Sequence, residues 1–199
     1  MIRFVREEKT YQRNMKTLLR HLPTLLVALL MICGCGKLED EYNNRYRCRF
    51  FFNNAIHNNT KVQSACSSWG TFIHITLTGN RTVKIEAFGQ DADLVQPVAS
   101  EQPELWALGI DNGSGLFIGS SSFNTGTIYA FDGQCPNCYS GGMTSHRLTF
   151  SQSGQWVTCP TCHRSYDLNN GGLVVQGEAG SKLYRYRASY SGQILQVNN

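Results

Sequence analysis

From Tyr46 onward the chain alternates short apolar runs with clusters of Gly, Asn, Asp and Ser. The runs are "RYRCRFFF", "TFIHITLT", "TVKIEAF", "ELWALGI", "GLFIGSS", "TIYAFD", "HRLTFS", "QWVTC", "GGLVV", "KLYRYRA" and "GQILQVN". They are rich in β-branched and aromatic residues, which fit a pleated, half-buried surface and read as strands. No window keeps an apolar period near 3.6 for three turns, so no long amphipathic helix is expected. The pattern predicts an all-β domain, a sandwich or a barrel. Two turns have a named mechanism: "TGNRT" and "DNGSG" supply Asn and Gly where a hairpin between flanking strands needs positive φ. In "KLYRYRASY" the period of two puts Tyr184, Tyr186 and Ala188 on one face and Leu183, Arg185 and Arg187 on the other, one buried and one solvated.

The first 35 residues break this pattern. Lys16 and Arg20 precede the apolar run "LLVALLMI", which ends in "CGC". The run is shorter than the roughly 20 apolar residues that a membrane span requires, and it reads as an export signal. "MKTLLRHLP" from Met15 has the form of an ordinary signal start, leaving Met1 and Met15 as two candidate starts. The segment resembles a bacterial lipoprotein signal, in which a small residue precedes an acylated Cys. Gly34 before Cys35 makes Cys35 the first choice for lipidation and Cys33 the second, with a plain cleaved signal as the alternative. Residues 36–45, "GKLEDEYNNR", then read as a polar, solvated tether. The resemblance implies an outer-membrane lipoprotein in the envelope of a Gram-negative-type bacterium, held to the bilayer by its lipid and facing a protein partner that the sequence does not name.

Charge changes the picture once this leader is set aside. Residues 1–35 hold six of the 18 Lys and Arg and two of the 14 acids, leaving twelve of each sign. A balanced chain offers no electrostatic attraction to nucleic acid, so no nucleic-acid partner is expected.

Candidate chemistry sits in the cysteines. Cys135, Cys138, Cys159 and Cys162 follow the spacing C-x2-C-x20-C-x2-C, in which two turns each bring a pair of sulfurs to one metal ion. Pro136 and Pro160 preset φ at the start of each turn. Metal knuckles often place a residue of positive φ after the second Cys, where Tyr139 and His163 stand here. His adopts that conformation more readily than Tyr, so the second knuckle is expected to be the tighter one.

Around these cysteines, "CPTCHRSYDLNNGGLVVQGEAGSKLYRYRASYSGQILQV" resembles the second half of a Rieske domain. The matching positions are Cys159, Pro160, Cys162, Tyr166, Asp167, Gly171, Gly177, Ala179, Leu183 and Tyr186, and "YAFDGQCPNC" is similar to the strand entering the first Rieske ligand loop. The phrases "YDLNNGG" and "YRAS" are shared with a group of lipoproteins from anaerobic gut bacteria. The resemblance implies a Rieske-like β-sandwich or barrel with a small zinc-ribbon-like, rubredoxin-like metal-binding lobe. Residues 46–126 would form its N-terminal β portion and 127–199 the Rieske-like portion. A Rieske centre takes two Cys and two His. Here Cys138 and Cys162 stand in place of the imidazoles, so the proton-coupled quinol chemistry of a His ligand is not implied. The loop that covers a Rieske cluster reads Gly177-Glu178-Ala179, and the residues up to Asn199 leave no room for the catalytic domain of a Rieske oxygenase.

Other readings of the same atoms remain open. "CPTCH" is also a c-type haem attachment sequence, but it leaves Cys135 and Cys138 without a role, and His163 then reads as an exposed turn residue. Redox-active C-x-x-C pairs draw their low pKa from a helix N-terminus, which the pattern lacks. Two local disulfides are a further option in an exported chain. Cys48 and Cys66 are a candidate disulfide or two buried thiols. His57 and His74 show no ligand spacing, and His146 is placed for a supporting role beside the cysteines. "GSGLFIG" lacks the helix a phosphate site needs, and no nucleophile elbow or carboxylate pair marks an enzyme. The expectation is one metal centre on four Cys, zinc before iron, in a structural or binding role. An electron-transfer centre with iron or [2Fe-2S] on the same Cys is the alternative.

Overall fold

The apolar runs fold as antiparallel strands in a computed structural model that describes residues 41–199 except 125, 140 and 143, which form one compact unit. The segment expected to be a signal, with Cys33 and Cys35, and residues 36–40 lie outside the described residues. No helix among those described is long and apolar enough to cross a membrane. In chain order the first strands are β1 (Cys48–Asn53), β2 (Thr71–Leu77), β3 (Val83–Ala87), β4 (Asp93–Val95), β5 (Ala107–Leu108), β6 (Leu116–Ser120) and β7 (Ile128–Asp132). They are followed by β8 (Thr149–Ser151), β9 (Trp156–Thr158), β10 (Ser165–Asp167), β11 (Leu173–Gln176), β12 (Arg185–Ser191) and β13 (Ile194–Asn198).

Nine strands form one sheet in the order β4-β3-β2-β6-β7-β12-β13-β1-β5, and four form a second, β11-β10-β9-β8. The strand β12 joins the halves of the larger sheet. Its first residues, Arg185 and Tyr186, pair with β7, and Arg187–Ser191 pair with β13. The sheet thereby curls over a shared core, with Phe50, Phe52, Leu195 and Val197 from one half in the same apolar cluster as Ile73, Ile75, Ile85, Leu116 and Ile118 from the other.

Two short helices close this core, α1 (Asn54–His57) and α2 (Thr60–Ser67). Asn53 and Asn59 cap them, accepting from the Ala55 and Val62 backbone N–H groups at 3.1 and 3.0 Å. Val62, Ala65 and Cys66 of α2 are buried in the core. Eight residues are about two turns, too few to show as a sustained helical period.

Strands β2, β6 and β7 are covered on both faces. Ile73, Ile75, Leu116, Ile118 and Ala130 turn into the main core, while Phe72, Phe117, Tyr129 and Phe131 turn into a second cluster built on the smaller sheet. This explains why β6 is buried along its whole length instead of alternating with polar residues. Phe117 links the layers, stacked on His74 at 4.2 Å and edge-on to Phe150 at 5.0 Å. His74 is accordingly a strand side chain, its Nε2 donating to the Ser114 carbonyl at 2.7 Å.

Several expectations need revision. "TGNRT" does turn between paired strands, with Asn80 and Arg81 at φ of 55° and 58°. "DNGSG" turns as expected, with Gly115 at φ 65°, but makes no hairpin: β5 pairs with β1, whereas β6 lies between β2 and β7. Strands β4 and β10 were not in the sequence pattern. Each is three residues long, β4 held against β3 and β10 between β9 and β11, which lets a weak local preference be overruled. Leu183, placed on the solvated face, is buried in the second cluster. The stretch expected to be a solvated tether is laid against β12 from Glu41 on. Glu41 pairs with Arg185 at 2.6 Å, and the Tyr42 ring lies under Arg185 and Arg187 at 4.9 and 4.7 Å.

Phe117→Ala should destabilise the domain by about 3–5 kcal/mol, since it opens a void between two layers. Denaturant melts compared with wild type check this.

Candidate metal centre

Each cysteine pair is delivered by a rigid β framework. The first follows β7 through Gly133, where any Cβ would collide with the Ser114 carbonyl. At the end of β7 the buried Asp132 carboxylate ties three segments together. Its Oδ1 accepts from the Gln134 N–H at 2.9 Å, and its Oδ2 accepts from the Ile110 N–H at 2.9 Å and the Tyr186 hydroxyl at 2.7 Å. Gly109, at φ 71°, is required beside it because a side chain would strike both Asp132 and Tyr186. Two residues beyond Asp132, Gln134 donates to Asp111 at 2.6 Å and Ser145 at 3.0 Å and accepts from the His146 N–H at 2.7 Å. The His146 carbonyl in turn takes the Cys135 N–H at 3.0 Å.

The second pair is the loop of the β9–β10 hairpin. The Cys159 N–H donates to the Arg164 carbonyl, and the His163 N–H to the Cys159 carbonyl, both at 2.9 Å. His163 is exposed and adopts φ 58°, the left-handed conformation expected after the second Cys, whereas Tyr139 does not. The first turn closes instead through the Tyr139 N–H to the Cys135 carbonyl at 3.0 Å.

The two turns converge. The Cys135 and Cys162 sulfurs are 3.7 Å apart, Cys138 and Cys159 are 3.8 Å apart, and all four lie within 4.8 Å of one another. A metal–sulfur bond of about 2.3 Å gives a tetrahedral edge of about 3.8 Å, so these residues fit a single four-thiolate ion. Cys135 and Cys159 are buried, while Cys138 and Cys162 are partly exposed at the outer side.

Electrostatics within the cluster favour a cation. Burial pushes the Cys135 thiol up, and burial followed by the Cys162 and Cys135 sulfurs pushes Cys138 up. Burial opposes the Cys162 thiolate as well, yet the Arg164 backbone N–H and guanidinium, together with the Cys138 and Cys135 thiols, bring it down to about 6. Four thiolates at this separation repel one another, and a divalent ion that displaces their protons removes that cost.

Around the sulfurs a polar frame locks the geometry. The Tyr166 hydroxyl lies 3.1 Å from Cys135 Sγ and accepts from Asn137 Nδ2 at 2.9 Å. Burial, and then the Cys135 sulfur, keep the phenol protonated, which equips it to donate to a Cys135 thiolate. Asn137 also holds the loop at Ser181 from both sides, donating to its carbonyl at 2.8 Å and accepting its N–H at 2.9 Å. From the other knuckle Arg164 grips the same loop through the Glu178 carboxylate at 2.7 Å and carbonyl at 2.9 Å. No spacing in the sequence marks Asn137, Gln134 or Arg164 for these tasks, whereas Tyr166 stood out through the resemblance.

The other candidates are not part of the four-sulfur cluster. His146 is beside it, its Nδ1 3.1 Å from the Thr161 hydroxyl, but is not among the four ligand residues. His57 pairs with Glu101 at 3.0 Å. Cys48 and Cys66 are free and buried, not bonded to each other. The disulfide option for them is therefore corrected: each thiol sits in the apolar core, where burial holds the Cys66 thiol up at about 12 and likewise raises Cys48.

Two comparisons add nothing to this geometry: no protein-family model matches the chain, and no curated protein matches it. The class that the fold and site define is a mostly β protein, built on two antiparallel sheets, with four clustered cysteines able to hold a metal ion.

Burial raises the Asp132 carboxyl to about 6, despite the Ile110, Tyr186 and Gln134 donors. A folded-state pKa above the unfolded one adds stability that is complete below about pH 4 and is lost as pH rises through about 6. The stability difference between wild type and Asp132→Asn should therefore change across that interval, and denaturant melts at a series of pH values check it.

Proposed function

We propose that this is a lipid-anchored cell-envelope protein whose Rieske-like β domain holds one tetrahedral metal ion, zinc in the first place, on Cys135, Cys138, Cys159 and Cys162. The observation that carries the metal assignment is the convergence of four sulfurs within 4.8 Å of one another, with two of their separations at a tetrahedral edge length. Two features support a Rieske-like arrangement over an unrelated ribbon. Both ligand loops emerge from β hairpins or strand ends, and a loop after β11 is clasped to both of them by Asn137 and Arg164. The lipoprotein reading rests on the leader and its Gly34-Cys35 step.

A structural role follows from magnitudes. Zinc on folded knuckles contributes on the order of 10–16 kcal/mol, comparable to or above the whole stability of a typical domain. The smaller sheet needs such support, because its strands are only three or four residues long. When bound, zinc would supply a fixed crosslink between the two hairpins and no redox chemistry. The chain's own residues supply the rest: Tyr166 donates to Cys135, and Arg164 offsets negative charge at Cys162.

A second reading has one observation in its favour. Hydrogen bonds to ligand sulfurs tune the potential of iron–thiolate centres, and the Tyr166 donor to Cys135 is of that kind. An electron-transfer role with a single rubredoxin-like iron uses the same four residues. A two-iron cluster is less well supported, since it separates the thiolates into two pairs farther apart than a tetrahedral edge.

Metal analysis with a visible spectrum of the purified protein separates these readings. One zinc per chain and a colourless solution are expected. One iron with visible absorption transfers the assignment to electron transfer, and two irons with inorganic sulfide overturn the single-ion centre. A protein with no stoichiometric metal replaces it by disulfides.

Cys159→Ser should loosen the region from Gly133 to Val175 well before β1–β3. Hydrogen exchange with peptide resolution reads this order. Loss beginning in the N-terminal strands would remove the structural role.

A further inference from the structure

We infer that the outward face of β1 and β13, where it meets the turn Ser100–Gln102, is a binding site for an acidic saccharide, recognised through a carboxylate and its neighbouring hydroxyls. This site is separate from the cysteine cluster and does not rest on the metal assignment.

Strand alternation builds the surface. Phe50, Phe52, Leu195 and Val197 turn into the core, which leaves Arg49, Phe51, Gln196 and Asn198 on the outer face. Their register is direct, with Phe51 opposite Gln196 and Arg49 opposite Asn198. Asn198 is also opposite Arg187 of β12, so Arg49 and Arg187 flank one amide on a single face. A pocket of about 300 Å³ lies over this strip, its lining including Arg49, Phe51, Glu101, Gln102, Gln196 and Asn198. That volume is at the lower end for small-ligand sites.

The chemistry of the lining selects the ligand. The carboxamides of Gln196 and Asn198 each offer both donors and an acceptor, which suits hydroxyl groups that must do both, while Gln102, its oxygen taken by Arg49, adds its N–H donors. Phe51 is a half-buried aromatic surface for the C–H face of a sugar ring. Arg49 supplies the fork that pairs with a planar carboxylate, and it is already oriented by the Gln102 Oε1 acceptor at 3.0 Å. One guanidinium among three amides fits a hydroxyl-dense ligand with one charge per unit better than a polyphosphate.

The local field has the matching sign. Among the described residues Arg47, Arg49 and Arg187 form no ion pair with a carboxylate. Glu101 lines the pocket, but its side chain is fully buried and its oxygens are engaged by the Asn53 N–H at 2.7 Å, the Val98 N–H at 2.9 Å and His57 at 3.0 Å. Backbone strain also collects at the rim. Gln102 is held at φ 51° and ψ 57° directly before Pro103, a conformation unfavourable for a non-glycine residue and more so ahead of proline. It persists because the Ser100–Gln102 turn and Pro103 are fastened on both sides, with the Gln102 N–H on the Ala99 carbonyl and the Leu105 N–H on the Gln102 carbonyl.

The test uses the full chain on an array of uronate-bearing oligosaccharides paired with their neutral hexose counterparts, followed by calorimetric titration of the strongest uronate. Saturable binding to uronates over neutral partners is expected. Arg49→Ala should weaken it about tenfold or more and Gln196→Ala several-fold, from loss of a charged and a neutral hydrogen bond respectively. Both residues are exposed, so melting temperature and metal content should not change. The inference is overturned by equal binding of the neutral counterparts, by unaltered affinity in both variants, or by an array without uronate binding. Binding confined to inorganic phosphate or to phosphatidylglycerol vesicles overturns it in favour of a phosphate ligand.

Discussion

Four thiol groups gathered within 4.8 Å of each other are the constraint on which the smaller lobe depends. As thiolates they repel, and as thiols they leave weakly bonded polar groups at the junction of two hairpins. A divalent cation resolves both difficulties, because it binds only the deprotonated form and gives each sulfur a strong partner. The strands of the second sheet are too short to bury much surface, and their position follows from the two knuckles that they carry.

The larger sheet acts as the foundation for this arrangement. Burial of β2, β6 and β7 on both faces lets one set of strands support two cores. The first knuckle leaves directly from β7, so its position is inherited from the centre of the main sheet. Asp132 and Gln134 make that inheritance stiff, by fastening the exit of β7 to Ile110, Tyr186, Asp111 and His146. The price of a buried carboxylate is a raised pKa, held in check by three donors.

The second knuckle and the loop at Glu178–Ser181 complete a clasp. Arg164 and Asn137 each contact a ligand-bearing turn and the same loop, so that loop is tied to both halves of the site. The cysteines of the two turns are thereby held at fixed distances by neutral and charged hydrogen bonds from the protein's own residues. The polar strip on β1 and β13 belongs to another part of the sheet and answers to different forces, the alternation of strand side chains and guanidinium groups without a carboxylate partner among the described residues.

Much of this was legible in one dimension. The apolar runs marked most strands, because side chains on a pleated sheet must alternate or be continuously apolar, and the spacing of Cys135, Cys138, Cys159 and Cys162 marked the candidate metal cluster, because each C-x-x-C turn is local chemistry. The left-handed turn at His163 was likewise a local preference. What tertiary structure alone decided were the long-range facts: β5 beside β1 instead of β6, the strand β12 shared between two halves, the short strands β4 and β10, and the separate burial of Cys48 and Cys66. Tyr166 beside Cys135 and Asn137 beside Ser181 are of the same kind. Local pattern reports the conformational preference of a segment and which of its faces is apolar. It carries no information on which distant segment supplies the cover, since apolar surfaces are interchangeable until packing and hydrogen-bond geometry distinguish them.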